Sequence, residues 1–541
     1  MIDYTVSAAD RWRRPIVIAF FSLLLLVGLL LVRDYGLSVD ENQSRHNGML
    51  SLKHVCDMFW PEFVQRDEQA FAYYQQYDLR DYYDRDYGVA FEMPVSFFER
   101  LLGLESQRSI FWFRHLCTFL VCMGGVGAVY QLVARRFKNW RLGLLGALFL
   151  VLSPRLFAEF FYNDKDAVFM ALFAIGTNTA VRFIERPTLG RALWHALACA
   201  ITIDVRIMGV LLPLATIAML ALRTIRGEYQ QYGTGRLAIG AGFYLMLLPA
   251  LVVGFWPYLW DAPLQNFLDA FHKMAKFRWG GQVLYMGRMV SAASLPWHYA
   301  LIWIFITTPV LYVVAFITGV ICIWRELKRR GWRVLYGSDE EWQDLLFLGL
   351  TLAPLLAVVV LRSVLYDGWR QLYFIYPTFL LVAMRGLVAL FRWKPQGQWA
   401  TYWPKLMRSL LVLSIVTTAA QIAWLHPQQQ VYFNFLPGRH LEQKFEMDYW
   451  SLSYRWGLEW ITKHDDRPVI YVNAPMEGSV ELNRWMLDEY AAERIKFVAE
   501  PEKADYFMTT YRWHPEPYPY QNEVARLEAG KRRVLSIFRI K

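Results

Sequence analysis

Four short runs of ionisable residues, each at the edge of a long apolar segment, are where this sequence could do chemistry. They are Ser38-Val39-Asp40-Glu41, then Asn163-Asp164-Lys165-Asp166 (preceded by Ser153-Pro154-Arg155), then Asp204 with Arg206, then Tyr366-Asp367-Gly368-Trp369-Arg370. Acids beside cations at the mouth of a helix bundle can bind an anionic, hydroxyl-rich ligand, and one carboxylate can serve as a general base. A charge beside an apolar run is commonly a solvated loop residue or an interfacial anchor. By that standard Asp40-Glu41 alone is a weak signal. Asp164-Lys165-Asp166 is stronger, because three adjacent charges abut an apolar segment, and Arg206 is stronger again, with apolar flanks on both sides.

The elements that must position these runs are membrane spans. Of the 541 residues, 56% are hydrophobic and only 19% charged, a balance foreign to a soluble domain of this size. Aromatic residues make up 17% and gather at the edges of apolar segments, as interfacial belts do. A span needs roughly 20 mostly apolar residues. That length predicts eleven, near 15–33, 110–133, 141–157, 167–184, 190–204, 207–223, 237–256, 298–324, 343–361, 371–391 and 407–425. The first follows Arg11, Arg13 and Arg14 without a small-residue cleavage site, so it is expected to be retained.

Loop cations set the orientation. With the N-terminus in the cytoplasm, Arg135, Arg136, Lys138 and Arg141 fall inside, as do Arg223, Arg226 and Arg236, then Arg325 and Lys328 to Arg330. The formal net charge of +10 is thus topology, and no basic stripe or motif points to nucleic acid. The stretch 190–223 decides the parity. One long helix would bury Asp204 and Arg206 in hydrocarbon, whereas a hairpin puts both at an outer turn. The large polar stretches, 34–109, 257–297 and everything after about 430, then share the outer side with all four charged runs. The expected organisation is a helical transmembrane module over 1–429 and a small extracytoplasmic α/β domain over 430–541. In that domain helix-like runs (449–462, 479–490) alternate with strand-like ones (469–472, 506–510, 534–540). Five scattered cysteines support neither a disulfide framework nor a zinc site. Trp256, Trp260, Trp279 and Trp297 are expected to be interfacial anchors more than sugar-stacking platforms. His54, His115 and His272 take no role.

At the charged runs the sequence resembles the GT-C glycosyltransferases that use polyprenyl-phosphate sugars, and within them the relatives of protein O-mannosyltransferase and of the lipid A aminoarabinose transferase. Asp40-Glu41 matches the acidic pair those families carry just after the first helix. Asp166 in "NDKDAVFMALF" resembles the Asp that opens a later span. Arg206 in "DVRIMGVLLP" stands where the families have a basic residue, often Lys, before a Gly-containing helix. The stretches "SPRLFAEFFYNDKD", "WPYLWDAPL", "LYDGWRQLYFIYP" and "FEMDYWSLSYRWGLEW" look like bacterial members, and the likeness spans most of 30–460.

The resemblance implies a multi-pass enzyme of the bacterial inner membrane, with a polyprenyl-phosphate-linked sugar as donor and a glycan, lipid or protein hydroxyl as acceptor. Asp40 would be the general base, with inversion at the anomeric carbon, and Glu41 would orient Asp40 or the acceptor. Arg206, helped by Lys165 and Arg370, would neutralise the phosphate. Asp164, Asp166 and Tyr366 would complete the substrate contacts. No cofactor and no required metal are expected. Two other readings weigh less. A transporter or flippase would put charges near the bilayer midplane in paired half-helices. A lipid-linked-glycan ligase or polymerase would centre on a large late loop rich in Arg and His, whereas 257–297 offers Arg278 and Arg288 without an acidic pair.

Overall fold

The structure is a computed structural model and describes residues 11–230, 234–275, 279–331 and 333–541, so Arg278 lies outside the described residues. Helix α1 (Arg13–Leu31) leads into the first loop, which is largely helical: α2 (Val39–Phe59), short turns at Pro61–Arg66 and Glu68–Phe71, and α3 (Glu92–Leu101). Then follow α4 (Gln107–Arg136), α5 (Trp140–Val151), α6 (Pro154–Tyr162), α7 (Asp166–Glu185), α8 (Leu189–Val205), α9 (Leu211–Ile225) and α10 (Thr234–Phe255). The stretch 257–297 forms α11 (Pro263–Ala275) and a hairpin of β1 (Gln282–Tyr285) with β2 (Arg288–Ser291). The remaining bundle helices are α12 (Tyr299–Thr307), α13 (Val310–Arg330), α14 (Asp339–Leu361), α15 (Tyr376–Arg392) and α16 (Trp399–Leu425).

Among the described residues nine helices are long and apolar enough to cross a membrane, and α5 with α6, bent by 73° at their junction, makes a tenth. The bend has a local cause: Pro154 has no amide proton to continue α5, and Ser153 Oγ donates instead to the Phe149 carbonyl at 2.8 Å. Helix α8, at 17 residues, is shorter than these. The chain is an integral, multi-pass helical membrane protein. One expected boundary moves. The span placed at 298–324 is two helices, because Pro309 ends α12 and the membrane-length segment is α13. The hairpin at 190–223 is present as α8 and α9.

Small residues let the spans approach closely, the usual device where lipid removes a hydrophobic drive between helices. Gly319 of α13 lies against the Val382 carbonyl of α15, and Gly386 of α15 against the Ala315 carbonyl; a Cβ at either would collide with backbone. The far face of the bundle is laced by ion pairs. Arg136 meets Asp344 at 2.5 Å, Arg223 meets Asp339 at 3.2 Å and Arg330 meets Glu341 at 2.9 Å. These residues belong to the loops predicted to share one side. The four charged runs come together at the opposite end.

The C-terminal unit contains α17 (Tyr454–His464), α18 (Glu477–Arg484), α19 (Glu489–Arg494) and strands β3 (Ile470–Asn473), β4 (Ile495–Phe497), β5 (Tyr506–Thr509), β6 (Glu523–Ala529) and β7 (Arg532–Arg539). Its sheet runs β4-β3-β5-β7-β6, with β3 parallel to β4 and β5, and β7 antiparallel to β5 and β6. Leu458, Ile461, Val472, Val480, Met508 and Ile537 form its core. The preceding residues pack elsewhere: Tyr432, Phe433, Tyr449 and Trp450 belong to the core of the helix bundle. The α/β core therefore starts near Tyr454, later than the expected 430.

Candidate active site

Asp40 occupies the first turn of α2. A capping box starts that helix: Ser38 accepts from the backbone at N3, and Glu41 Oε2 accepts from the Ser38 amide at 2.7 Å. The C-terminal unit fixes the approach to this cap, because Asn483 of α18 accepts from the Leu37 amide at 2.9 Å and donates to the Leu37 carbonyl at 3.0 Å. Asp166 opens α7, and Arg206 stands between α8 and a single 3-10 turn, Ile207–Val210. Arg370 starts the turn that leads into α15. It follows a tight reversal at Asp367 and Gly368, whose φ values of 56° and 75° suit an Asp and a Gly.

These four residues meet. Arg370 Nη1 donates to Asp40 Oδ2 at 3.0 Å and to Asp166 Oδ2 at 2.9 Å. Arg206 Nη2 lies 2.5 Å from the other oxygen of Asp166. Exposure separates their roles: the side chains of Asp166 and Arg370 are 1% and 3% accessible, but Asp40 keeps 29% and Arg206 21%. Asp40 and Arg206 thus reach the opening, and Asp166 and Arg370 stand behind them as the frame. Arg206 Nε is buried without a hydrogen-bond partner. Lys165, partly exposed, holds its ammonium 4.6 Å from the centre of the Tyr87 ring. Burial pushes the Asp40 carboxyl up, but Arg370, Lys165 and Arg206 together outweigh it and hold it below the ordinary value. Asp40 is therefore ionised at neutral pH.

Other expected members are placed differently. Glu41 is turned into the protein, where His115 Nε2 approaches its Oε1 at 2.7 Å. It builds the cap and does not reach the opening. Asp164 accepts from Ser44 Oγ at 3.1 Å and ties α2 to the α6–α7 turn. Asp204 accepts from the Ala90 amide at 2.6 Å, clamping the first loop over the α8–α9 turn. Tyr366 does lie at the site: Arg370 stands 4.8 Å over its ring, and Trp279 stacks on it at 4.5 Å with 22° between planes. Of the four tryptophans, Trp256 is buried, Trp297 is exposed and Trp260 donates to the Val253 carbonyl at 2.8 Å. Trp279 alone stands beside the charged residues.

Sequence reasoning placed Asp367 in a charged run without a role and did not single out its partners on the far side of the site. Asp367 is bridged by two arginines, Arg370 at 3.3 Å and Arg512 at 2.7 Å. Glu446 is buried beside Asp367 and Arg512, and burial with the nearby Asp367 charge pushes its carboxyl up to about 8. Arg512 sits in "YRWHPEPYPY", whose aromatic and proline content carries no periodic signal.

No family model and no curated protein matches the sequence. Among solved structures the chain is similar to the crystal structure of ArnT from Cupriavidus metallidurans bound to undecaprenyl phosphate. The identity is 14%, the TM-score 0.47 and the coverage 98% of both chains. It is also similar to the Archaeoglobus fulgidus oligosaccharyltransferase in complex with zinc and sulfate, at 11% identity and a TM-score of 0.42, over 90% of this chain and 68% of that one.

Proposed function

We propose that this protein is a GT-C-type glycosyltransferase that moves a sugar from a polyprenyl phosphate to an acceptor hydroxyl. The observation that carries the reading is that Asp40 and Arg206, an ionised base and a cation, both keep partly exposed side chains and open together onto one site at the outer ends of four spans. The acceptor oxygen attacks the anomeric carbon from the face away from the phosphate, and its proton passes to Asp40. The bond between that carbon and the phosphate oxygen breaks, inverting the centre. Arg206 and Lys165 meet the charge that develops on the departing lipid phosphate, the main catalytic lever for a pre-formed anion. Asp40 is a weak base while Arg370 holds it, so it supplies a smaller share, about 10²–10⁴-fold.

The reading includes a lipid tail lying between spans, an inner-membrane location, a cytoplasmic N-terminus and an extracytoplasmic C-terminal unit. Undecaprenyl phosphate is the probe. The purified full chain should bind it, and Asp40→Asn should bind it equally while losing about 10²–10⁴-fold in transfer of radiolabelled sugar from lipid extract. Transfer by Asp40→Asn at the wild-type rate would end the general-base assignment. Arginine and lysine take the place of a metal here, so transfer is expected to be unchanged in excess EDTA. Loss of activity in the chelator, restored by a divalent ion, would refute that part.

A further inference from the structure

Arg512 enters the site from the C-terminal unit, on the loop between β5 and β6. Its side chain is 8% exposed, its Nη1 donates to the Tyr449 carbonyl, and its Nη2 donates to Asp367 Oδ1 at 2.7 Å. The residues on either side, Tyr511 and Trp513, have φ values of 59° and 62°, a left-handed conformation that such side chains rarely adopt. Backbone held in that region on both flanks of one residue marks a place where the surroundings over-determine the chain. Here they aim one guanidinium at one buried carboxylate.

That carboxylate also draws on Arg370, at 3.3 Å, and Arg370 is the cation that holds Asp40 and Asp166. We propose that Arg512 is a positioning residue of the active site: by taking part of the Asp367 charge it leaves Arg370 free to hold Asp40 and Asp166. Without it, Asp367 keeps a single arginine, and Arg370 shifts toward Asp367 and away from Asp40. The C-terminal unit is then a part of the catalytic centre and not an appendage. The inference rests on Asp40 as the base of the proposed transfer.

The groups around both acids are known. Asp40 faces Arg370 and, from the loop before it, Tyr366 and Asp367. It also faces Lys165 at the start of α7, Arg206 at the α8–α9 turn, and Tyr83 and Tyr87 of the first loop. Asp367 faces Arg370, Arg512, Asp40, Tyr366, Tyr299 of α12 and Glu446. Asp40 keeps Lys165 and Arg206 in an Arg512 variant, so its loss of stabilisation is partial.

The test reads Asp40 itself. Carbodiimide couples an amine only to a protonated carboxyl, and peptide mass spectrometry of the full chain in detergent follows coupling at Asp40 against pH. In Arg512→Gln, labelling should begin about one pH unit higher than in wild type. Arg512→Lys should restore the wild-type profile. Arg512→Gln/Asp367→Asn should restore it as well, since removing the uncompensated acid frees Arg370; a merely structural role for Arg512 predicts no such rescue. Arg512→Gln profiles identical to wild type overturn the inference, as does failure of the double variant to rescue. If Arg512→Gln does not accumulate, Arg512→Ala and its double variant with Asp367→Asn decide by the same criteria. Binding of undecaprenyl phosphate to the same preparations is scored separately. A wild type that binds no lipid, with the labelling pattern intact, defeats the proposed function and leaves the Arg512 relay standing.

Discussion

Asp40 and Asp164 both neighbour Lys165, yet their surroundings push them in opposite directions. Burial dominates at Asp164, with Glu92 and Glu41 adding their own charge, and its carboxyl rises well above the ordinary value. At Asp40 three cations overcome burial. Such divergence between nearby acids is how a site assigns one of them to take protons. Glu446 makes the sign testable. Its carboxyl, raised to about 8, is protonated in the fold at neutral pH but ionised in the unfolded chain above about 4.3. Its contribution to stability is therefore full below that lower value and is lost as pH rises through about 8. Glu446→Gln removes the titration. Its thermal midpoint in detergent should match wild type near pH 4 and exceed it at pH 8.5; equal midpoints at both would show that Glu446 titrates normally.

At the scale of elements, the first loop and the α8–α9 turn form one joint. Asp204 accepts from the Ala90 amide, and Gly88 presses so closely on the Asp204 carbonyl that a Cβ there would overlap it. Both partners are backbone, so neither can swing aside. Gly88→Ala is expected to cost about 1–3 kcal/mol, the range for overpacking a filled contact. It should also weaken undecaprenyl-phosphate binding, because Arg206 is two residues from the displaced acid. Thermal stability and lipid affinity measured on the same preparation check both effects, and an unchanged protein would mean the joint is slack. The hairpin was legible because a single helix would have buried two charges in lipid. Its partner was not, since Gly88 and Ala90 lie in a tyrosine-rich run whose backbone amides carry no sequence signature.

Across the whole molecule, the helix bundle places the first loop and the C-terminal unit at one end and the Arg136–Asp344 and Arg223–Asp339 pairs at the other. Single cysteines in a cysteine-free background at Tyr83 or Tyr490, both exposed, should react with an impermeant maleimide in spheroplasts. A cysteine at exposed Trp393 should react only after permeabilisation. Labelling of positions 83 and 393 from the same side would break the parity on which the joined site depends.

The spans and the four charged runs follow from the chain alone, because apolar length and charges abutting a span are properties of short neighbouring stretches. Which member of each run reaches the ligand does not follow. Asp40 and Glu41 are adjacent, yet successive helix positions point about 100° apart, so one faces the opening and the other a buried histidine. Arg512 and Asp367 stand 145 residues apart, and only packing of the C-terminal sheet against the bundle brings them together. Contacts of that range depend on where whole elements dock, which no local spacing records.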